Sequence, residues 1–243
     1  MTLGQAKAQK ILGWIFFLPV CTWLLCYLIY GLGYRVVDLK NIRRAYRELI
    51  TDPRPLVICC NHLTYVDSAI LIYAFGNHFW YWTHFRSLSW NLPAIEYSRQ
   101  PFFRIIGLIS KCIFIPRGRG PKKQGQILEI VRKLLEIGEP VTIFPEGRRS
   151  RTGRFDSEKL SLGIGKIISE LKECRVLCVY LRSDKQTVST KFPAKNSRFY
   201  LKHELITFNN MSSDKESQRA IVQSIADKIV GLEHEYFSQL KES

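Results

Sequence analysis

A chain of 243 residues is long enough for one sizeable α/β domain with an appendage, and 36 Lys and Arg against 21 Asp and Glu leave a formal net charge of +15. That excess fits an anionic membrane surface, phosphorylated or CoA-like substrates, or nucleic acid, and its distribution along the chain favours the first two. Seven cysteines, an odd number, lie in apolar runs without a Cys-x2-Cys pair, which argues against a disulfide scaffold or a zinc site and for small buried hydrophobes in a reducing compartment.

Ile11 to Tyr34 carries no charged residue, and its core, Ile11 to Tyr30, matches the ~20 residues a helix needs to cross hydrocarbon. It reads as a membrane-embedded helical segment, and with no small-residue cleavage site it is expected to be retained. Pro19 suits either a kinked span or two short helices dipping into one leaflet. Arg35, Lys40, Arg43, Arg44 and Arg47 outnumber the preceding Lys7 and Lys10, which places the rest of the chain on the cytoplasmic face, against anionic headgroups. From Arg35 to Thr51 the apolar positions Val36, Val37, Ile42, Ala45, Tyr46, Leu49 and Ile50 predict a basic amphipathic helix. Residues 1–51 are therefore expected to form a membrane segment and connector, and residues 52–243 an α/β domain with a mostly parallel sheet flanked by helices.

Leu56 to Cys60 is a continuous apolar run after Asp52-Pro53-Arg54-Pro55, the pattern of a strand buried on both faces. It runs into Asn61-His62-Leu63-Thr64-Tyr65-Val66-Asp67, with Asn61 or Thr64 as the cap of a helix carrying Val66, Ala69, Ile70 and Tyr73. On one continuous helix His62 and Asp67 would point about 140° apart, so they meet only if His62 precedes the helix. The carboxylate would then hold one imidazole nitrogen and leave the other as a general base. Alone, this spacing more often marks a surface turn histidine and a first-turn carboxylate favoured by the helix dipole.

The aromatic stretch from Phe75 to Trp90 includes a predicted second strand, Phe79 to Phe85, read as core, with an acyl-chain groove or interfacial belt as the alternative. Pro101 to Gly107 predicts a short helix, and Cys112 to Ile115 a third strand, ending in Pro116-Arg117-Gly118-Arg119-Gly120. A guanidinium there would hold phosphate oxygens through two hydrogen bonds. Ile127, Ile130, Val131, Leu134 and Leu135 predict a helix closed by Gly138 and Pro140. The strand Val141 to Phe144 follows, then Pro145-Glu146-Gly147-Arg148-Arg149-Ser150-Arg151-Thr152-Gly153. A helix over Leu160 to Leu171, with Gly163 and Gly165 for close packing or ligand contact, precedes strands Val176 to Leu181 and Phe199 to Phe208, the latter at the sheet edge. Ser213-x-x-Glu216 predicts a capping box for a C-terminal helix.

Asn61-His62-x4-Asp67 and Phe144-Pro145-Glu146-Gly147-x-Arg149-Ser150, each after a buried strand, resemble the two signature blocks of the glycerolipid acyltransferase family, of the 1-acyl-glycerol-3-phosphate acyltransferase type. The resemblance covers roughly Leu56 to Leu181. It implies a membrane-bound enzyme that moves a fatty acyl group from a thioester, acyl-CoA or acyl carrier protein, to the hydroxyl of lysophosphatidic acid, giving phosphatidic acid. No metal or cofactor beyond that co-substrate is implied, the partners being membrane lipids and these substrates rather than nucleic acid. By resemblance His62 is the general base and Asp67 its partner, Arg117 binds the acceptor phosphate, Glu146 and Gly147 shape the acceptor site, and Arg149 with Arg148 assists phosphate recognition. Arg86 matches a basic position of the family. Pro116, Arg148 and Cys178 depart from its pattern, standing where a polar or acidic residue, a small hydroxyl residue and a proline are usual.

The residues leave other readings open. Cys60 or Ser68 would serve a covalent mechanism, and the acceptor could be glycerol 3-phosphate or another lyso-lipid. A non-catalytic protein on anionic membranes, or nucleic-acid binding by Arg148, Arg149, Arg151 and Arg154, would also use the charge.

Overall fold

The computed structural model describes residues 2–116, 120–158, 160–188 and 190–241. At its centre lies β2 (Leu56–Cys60), buried at every position, as its unbroken apolar run requires. Beside it run β5 (Glu173–Ser183) and β4 (Val141–Ile143), both parallel to it, and β3 (Trp90–Asn91) continues parallel beyond β4. On the other side β6 (Arg198–Asn209) is antiparallel to β5, with the short β1 (Arg35–Val36) parallel to β6. The order is β1-β6-β5-β2-β4-β3, a mixed α/β sheet with four parallel strands. Because they are parallel, β2, β4 and β5 deliver their following loops to one edge.

Side chains alternate across the sheet. Val57 and Cys59 of β2 face a core closed by α7 (Gly120–Glu136), α8 (Gly163–Ser169) and α9 (Lys215–Lys241). Leu56, Ile58 and Cys60 face the opposite core, closed by α3 (Leu39–Thr51) and α4 (Asp67–Phe75). Each fully buried Ile or Leu contributes about 1.5–3 kcal/mol. On α7 the predicted stripe Ile130, Val131, Leu134 and Leu135 is the buried one. Gly165 serves close packing: a Cβ there would come 2.2 Å from the Gln218 carbonyl oxygen of α9.

Several local expectations are corrected. Phe79 to Phe85 is not a strand: α5 (His78–Thr83) starts at an Asn77 cap whose Oδ1 accepts the Trp80 N–H at 2.7 Å, and a 3₁₀ turn (Phe85–Ser87) follows. Tyr81 and Phe85 are buried and Phe79 and Trp82 exposed, so helical spacing outweighs the β preference of aromatics. Cys112 and Ile115 make only isolated bridges to Asn91 and Ala94. The edge beside the start of β6 is taken by β1. Asp214, rather than Ser213, caps α9, accepting the Ser217 N–H at 2.8 Å. Arg86 donates to the Ile137 and Gly138 carbonyls at the end of α7.

The N-terminal segment is helical: α1 (Leu3–Phe16), a π-helical turn (Phe17–Cys21), α2 (Thr22–Cys26) and a second π turn (Tyr27–Gly31). Among the described residues no single helix is long and apolar enough to cross a membrane, although Leu3–Phe16 and Pro19–Gly31 meet that measure as a pair bent by 58°. Pro19, which lacks an N–H, sits at the bend. The face that α1 turns to the body is polar and small. Gln9 donates to the carbonyls of Gly107 (3.1 Å) and Cys112 (2.9 Å), Lys10 pairs with Glu139, and Ala6 is buried. Glu139 also holds the fully buried Lys111 at 2.6 Å. Ile11, Leu12, Trp14 and Ile15 face outward beside Trp82 of α5, on which Trp14 stacks. Phe102, Ile105 and Leu108 of α6 (Pro101–Ile109) are exposed too.

Gly165→Ala is expected to lower unfolding stability by about 1–3 kcal/mol, because α8 must shift from the α9 backbone. Denaturant titration of the purified protein checks this, and an unchanged midpoint would contradict the close packing.

Candidate active site

Where β2 ends, Asn61 continues its pairing by side chain. Its amide donates to the Leu181 carbonyl (3.0 Å) and accepts the Leu181 N–H (2.7 Å), fastening the loop to β5 rather than capping α4. The cap position of α4 is Val66, without a side-chain bond, and Asp67 occupies the first turn. That position favours a carboxylate through the helix dipole. The Asp67 side chain folds back over the preceding loop: Oδ2 accepts N–H bonds from Leu63 (2.7 Å) and Thr64 (2.8 Å), and Oδ1 accepts the Thr64 hydroxyl. Although 3 % exposed, the carboxylate is thereby saturated with donors.

His62 precedes the helix, and its Nδ1 lies 2.9 Å from Asp67 Oδ2. A carboxylate only accepts, so Nδ1 carries a hydrogen, and in the neutral ring the lone pair is then on Nε2. Among the described residues nothing bonds to Nε2, and the His62 side chain is 21 % exposed. The ring lies on Phe144, with centroids 4.2 Å apart and planes 24° apart. The tautomer and the ring plane are thus both set.

The loop after β4 interlocks with this one. Glu146 Oε1 accepts the His62 backbone N–H at 2.8 Å, Oε2 accepts the Asp156 N–H at 3.3 Å, and the Ser150 N–H donates to the His62 carbonyl at 2.8 Å. Burial pushes the Glu146 carboxyl up to about 8, with the two N–H bonds acting the other way. Gly147 turns the chain at φ +61°, a left-handed conformation that favours glycine. Arg148 is exposed and paired with Asp156 at 3.1 Å. Arg149 is half-buried over the ring of Tyr65.

His62, Asp67, Glu146, Gly147 and Arg149 therefore share one edge of the sheet, with Arg148 turned to Asp156. Arg117 lies outside the described residues. Sequence reasoning missed the side-chain pairing of Asn61, the hydroxyl of Thr64 and the stacking of Phe144. Asn61 and Phe144 stood within the motifs, and strand-end positions were the available signal. Cys60 is fully buried and its thiol is pushed well above its ordinary value by burial and by Asp67 and Glu146, so it stays a protonated core residue. Among the described residues no cluster of three His, Cys, Asp or Glu is placed to hold a metal ion.

A histidine bonded to a buried aspartate at the carboxyl edge of a parallel α/β array has the geometry that general-base chemistry at a hydroxyl or similar weak nucleophile requires. A family model for the acyltransferases matches residues 34–182, and the chain belongs to that family, the glycerolipid acyltransferases. Acyl transfer is its reaction class.

The unfolded chain releases the Glu146 proton near 4.5, whereas the native protein holds it to about 8. The native state binds more protons across that window, so this group makes stability fall as pH rises through it. In Glu146→Gln, which keeps an acceptor for the His62 N–H, stability measured by denaturation from about pH 5 to about pH 8 is expected to vary less with pH. An unchanged slope would contradict the assignment.

Proposed function

We propose that the protein is a membrane-bound O-acyltransferase that moves a fatty acyl group from an acyl-CoA or acyl carrier protein thioester to the free hydroxyl of 1-acyl-glycerol-3-phosphate, giving phosphatidic acid. The observation that carries the chemistry is His62 with Nδ1 bonded to a buried carboxylate and Nε2 open beside the Glu146–Arg149 loop. His62 Nε2 takes the hydroxyl proton as the acceptor oxygen attacks the thioester carbonyl carbon. The tetrahedral intermediate collapses with cleavage of the C–S bond, and the proton on Nε2 passes to the departing thiolate. Asp67 stabilises the imidazolium without becoming protonated. Base help of this kind is worth about 10² to 10⁴ in rate, the rest coming from substrate positioning and oxyanion stabilisation.

Arg149 is the phosphate ligand this reading favours, because Arg148 is already neutralised by Asp156. Arg117 is assigned to the same phosphate on resemblance. In this reading residues 1–51 seat the α/β domain on the cytoplasmic face of the membrane. The support is the outward apolar stripe of α1, with Trp82 and α6 beside it: a helix bonded to its own domain by polar residues leaves its apolar side for lipid.

The deciding assay incubates the purified protein with labelled acyl-CoA and a panel of lyso-lipids and glycerol 3-phosphate, and identifies the product. Labelled phosphatidic acid is expected from lysophosphatidic acid, and transfer only to another acceptor would reject the proposed substrate. His62→Ala is expected to reduce kcat about 10² to 10⁴-fold with the fold retained by circular dichroism, and undiminished turnover would end the base assignment. The double variant Ile11→Asp, Ile15→Asp is expected to bind anionic vesicles at least about tenfold more weakly in flotation assays, since charge on that stripe opposes burial in the interface. Equal binding would remove α1 from the membrane seat.

A further inference from the structure

Arg148, Arg149, Arg151 and Arg154 stand close together in the loop after β4, yet their surroundings differ. Arg148 pairs with Asp156 at 3.1 Å, and Arg154 lies 3.9 Å from Glu233 and over the ring of Phe237. Arg149 has no carboxylate partner among the described residues; its guanidinium carbon instead sits 3.8 Å from the ring centroid of Tyr65. Tyr65 belongs to the loop between His62 and Asp67, at one of the four positions that the His-x4-Asp pattern leaves unspecified. The contact therefore ties a cation in one signature loop to an aromatic face in the other.

Tyr65 is itself braced. Its backbone N–H donates to the Lys191 carbonyl at 3.0 Å, and its ring meets Tyr97 edge-on at 6.0 Å and Phe192 at 5.8 Å. The hydroxyl makes no hydrogen bond among the described residues, so the ring face is what the arrangement uses. A guanidinium held over an aromatic face keeps its charge, because no counter-ion is involved, and its N–H donors remain available for the oxygens of an anion. It also loses less freedom on binding than a solvated arginine, because its position is already set.

We propose that Tyr65 is a positioning residue that holds Arg149 ready for the phosphate of the acceptor, and so makes the site selective for phosphorylated acceptors. This rests on the acyltransferase reading above. The platform acts on acceptor binding, whereas the Nε2 proton transfer belongs to His62. Loss of the ring should thus appear in KM, and a ring without the hydroxyl should suffice.

The test compares wild type, Tyr65→Leu and Tyr65→Phe in two measurements: KM and kcat for 1-acyl-glycerol-3-phosphate, and the dissociation constant of glycerol 3-phosphate by calorimetry, which needs no turnover. Tyr65→Leu is expected to raise KM and the dissociation constant about three- to tenfold with kcat within about twofold, and Tyr65→Phe to restore both. In an Arg149→Gln background, Tyr65→Leu should add nothing to the dissociation constant. The proposal falls if Tyr65→Leu binds glycerol 3-phosphate as wild type does, if Tyr65→Phe is as impaired as Tyr65→Leu, if the two losses simply add, or if wild type binds no glycerol 3-phosphate. If binding follows the expected pattern but no lysophosphatidic acid is acylated, the substrate reading fails and the role of Tyr65 stands.

Discussion

A carboxylate almost closed off from water at the start of a helix must be satisfied by its surroundings, and Asp67 is satisfied by the very loop that carries His62. Two backbone N–H groups, one hydroxyl and one imidazole nitrogen converge on it. Losing any one of these donors costs about 1.5–3 kcal/mol, the worth of a hydrogen bond to a charged group, so the loop has little freedom to take another shape. The orientation of the imidazole follows from the burial of the acid. The setting of the imidazole and the local stability of the loop rest here on the same four bonds.

The second buried acid does a different task. Glu146 gives its oxygens to backbone donors on both sides, His62 N–H and Asp156 N–H, and thereby stitches the loop after β4 to the loop after β2. Asp67 sits at a helix start among several donors, whereas Glu146 has two N–H bonds, and its burial drives its carboxyl upward. Two buried acidic side chains on neighbouring loops thus receive different hydrogen-bond partners from the same fold. Parallel strands make this arrangement rigid: the Asn61–Leu181 pairing extends the β2–β5 ladder to the residue before His62.

Around this site the chain places aromatic and apolar surface in an uncommon way. α1 turns a polar and small stripe to the body, with Gln9 and Ala6 buried and Lys10 paired with Glu139, and presents Ile11, Trp14 and Ile15 outward. In water a helix normally does the reverse. The polar stripe has partners because Gly107, Cys112 and Glu139 offer two carbonyls and a carboxylate along its length. An uncharged sequence run reports how apolar a segment is; which side of it faces the domain depends on those distant acceptors.

Much of the frame was legible in the residues alone. Short runs of mostly apolar residues marked β2, β4 and β5, a helical stripe marked α7, and the five-residue interval meant that His62 and Asp67 could meet only if the histidine preceded the helix. These are local properties, set by the side-chain periods of strand and helix and by short-range sterics. The helical state of His78–Thr83, the bonding of Asn61 to Leu181, the interlock of Glu146 and Ser150 with His62, and the seating of Arg149 on Tyr65 were not legible. Strong β formers wound into a helix because Asn77 capped it and Tyr81 and Phe85 had a core to enter, and the other three pairings join residues far apart in the chain. The sequence by itself determined which residues carry the polar chemistry and which segments are buried. Only the tertiary structure decided which donor meets which acceptor, because a hydrogen bond or a cation over a ring depends on positions that distant elements set jointly.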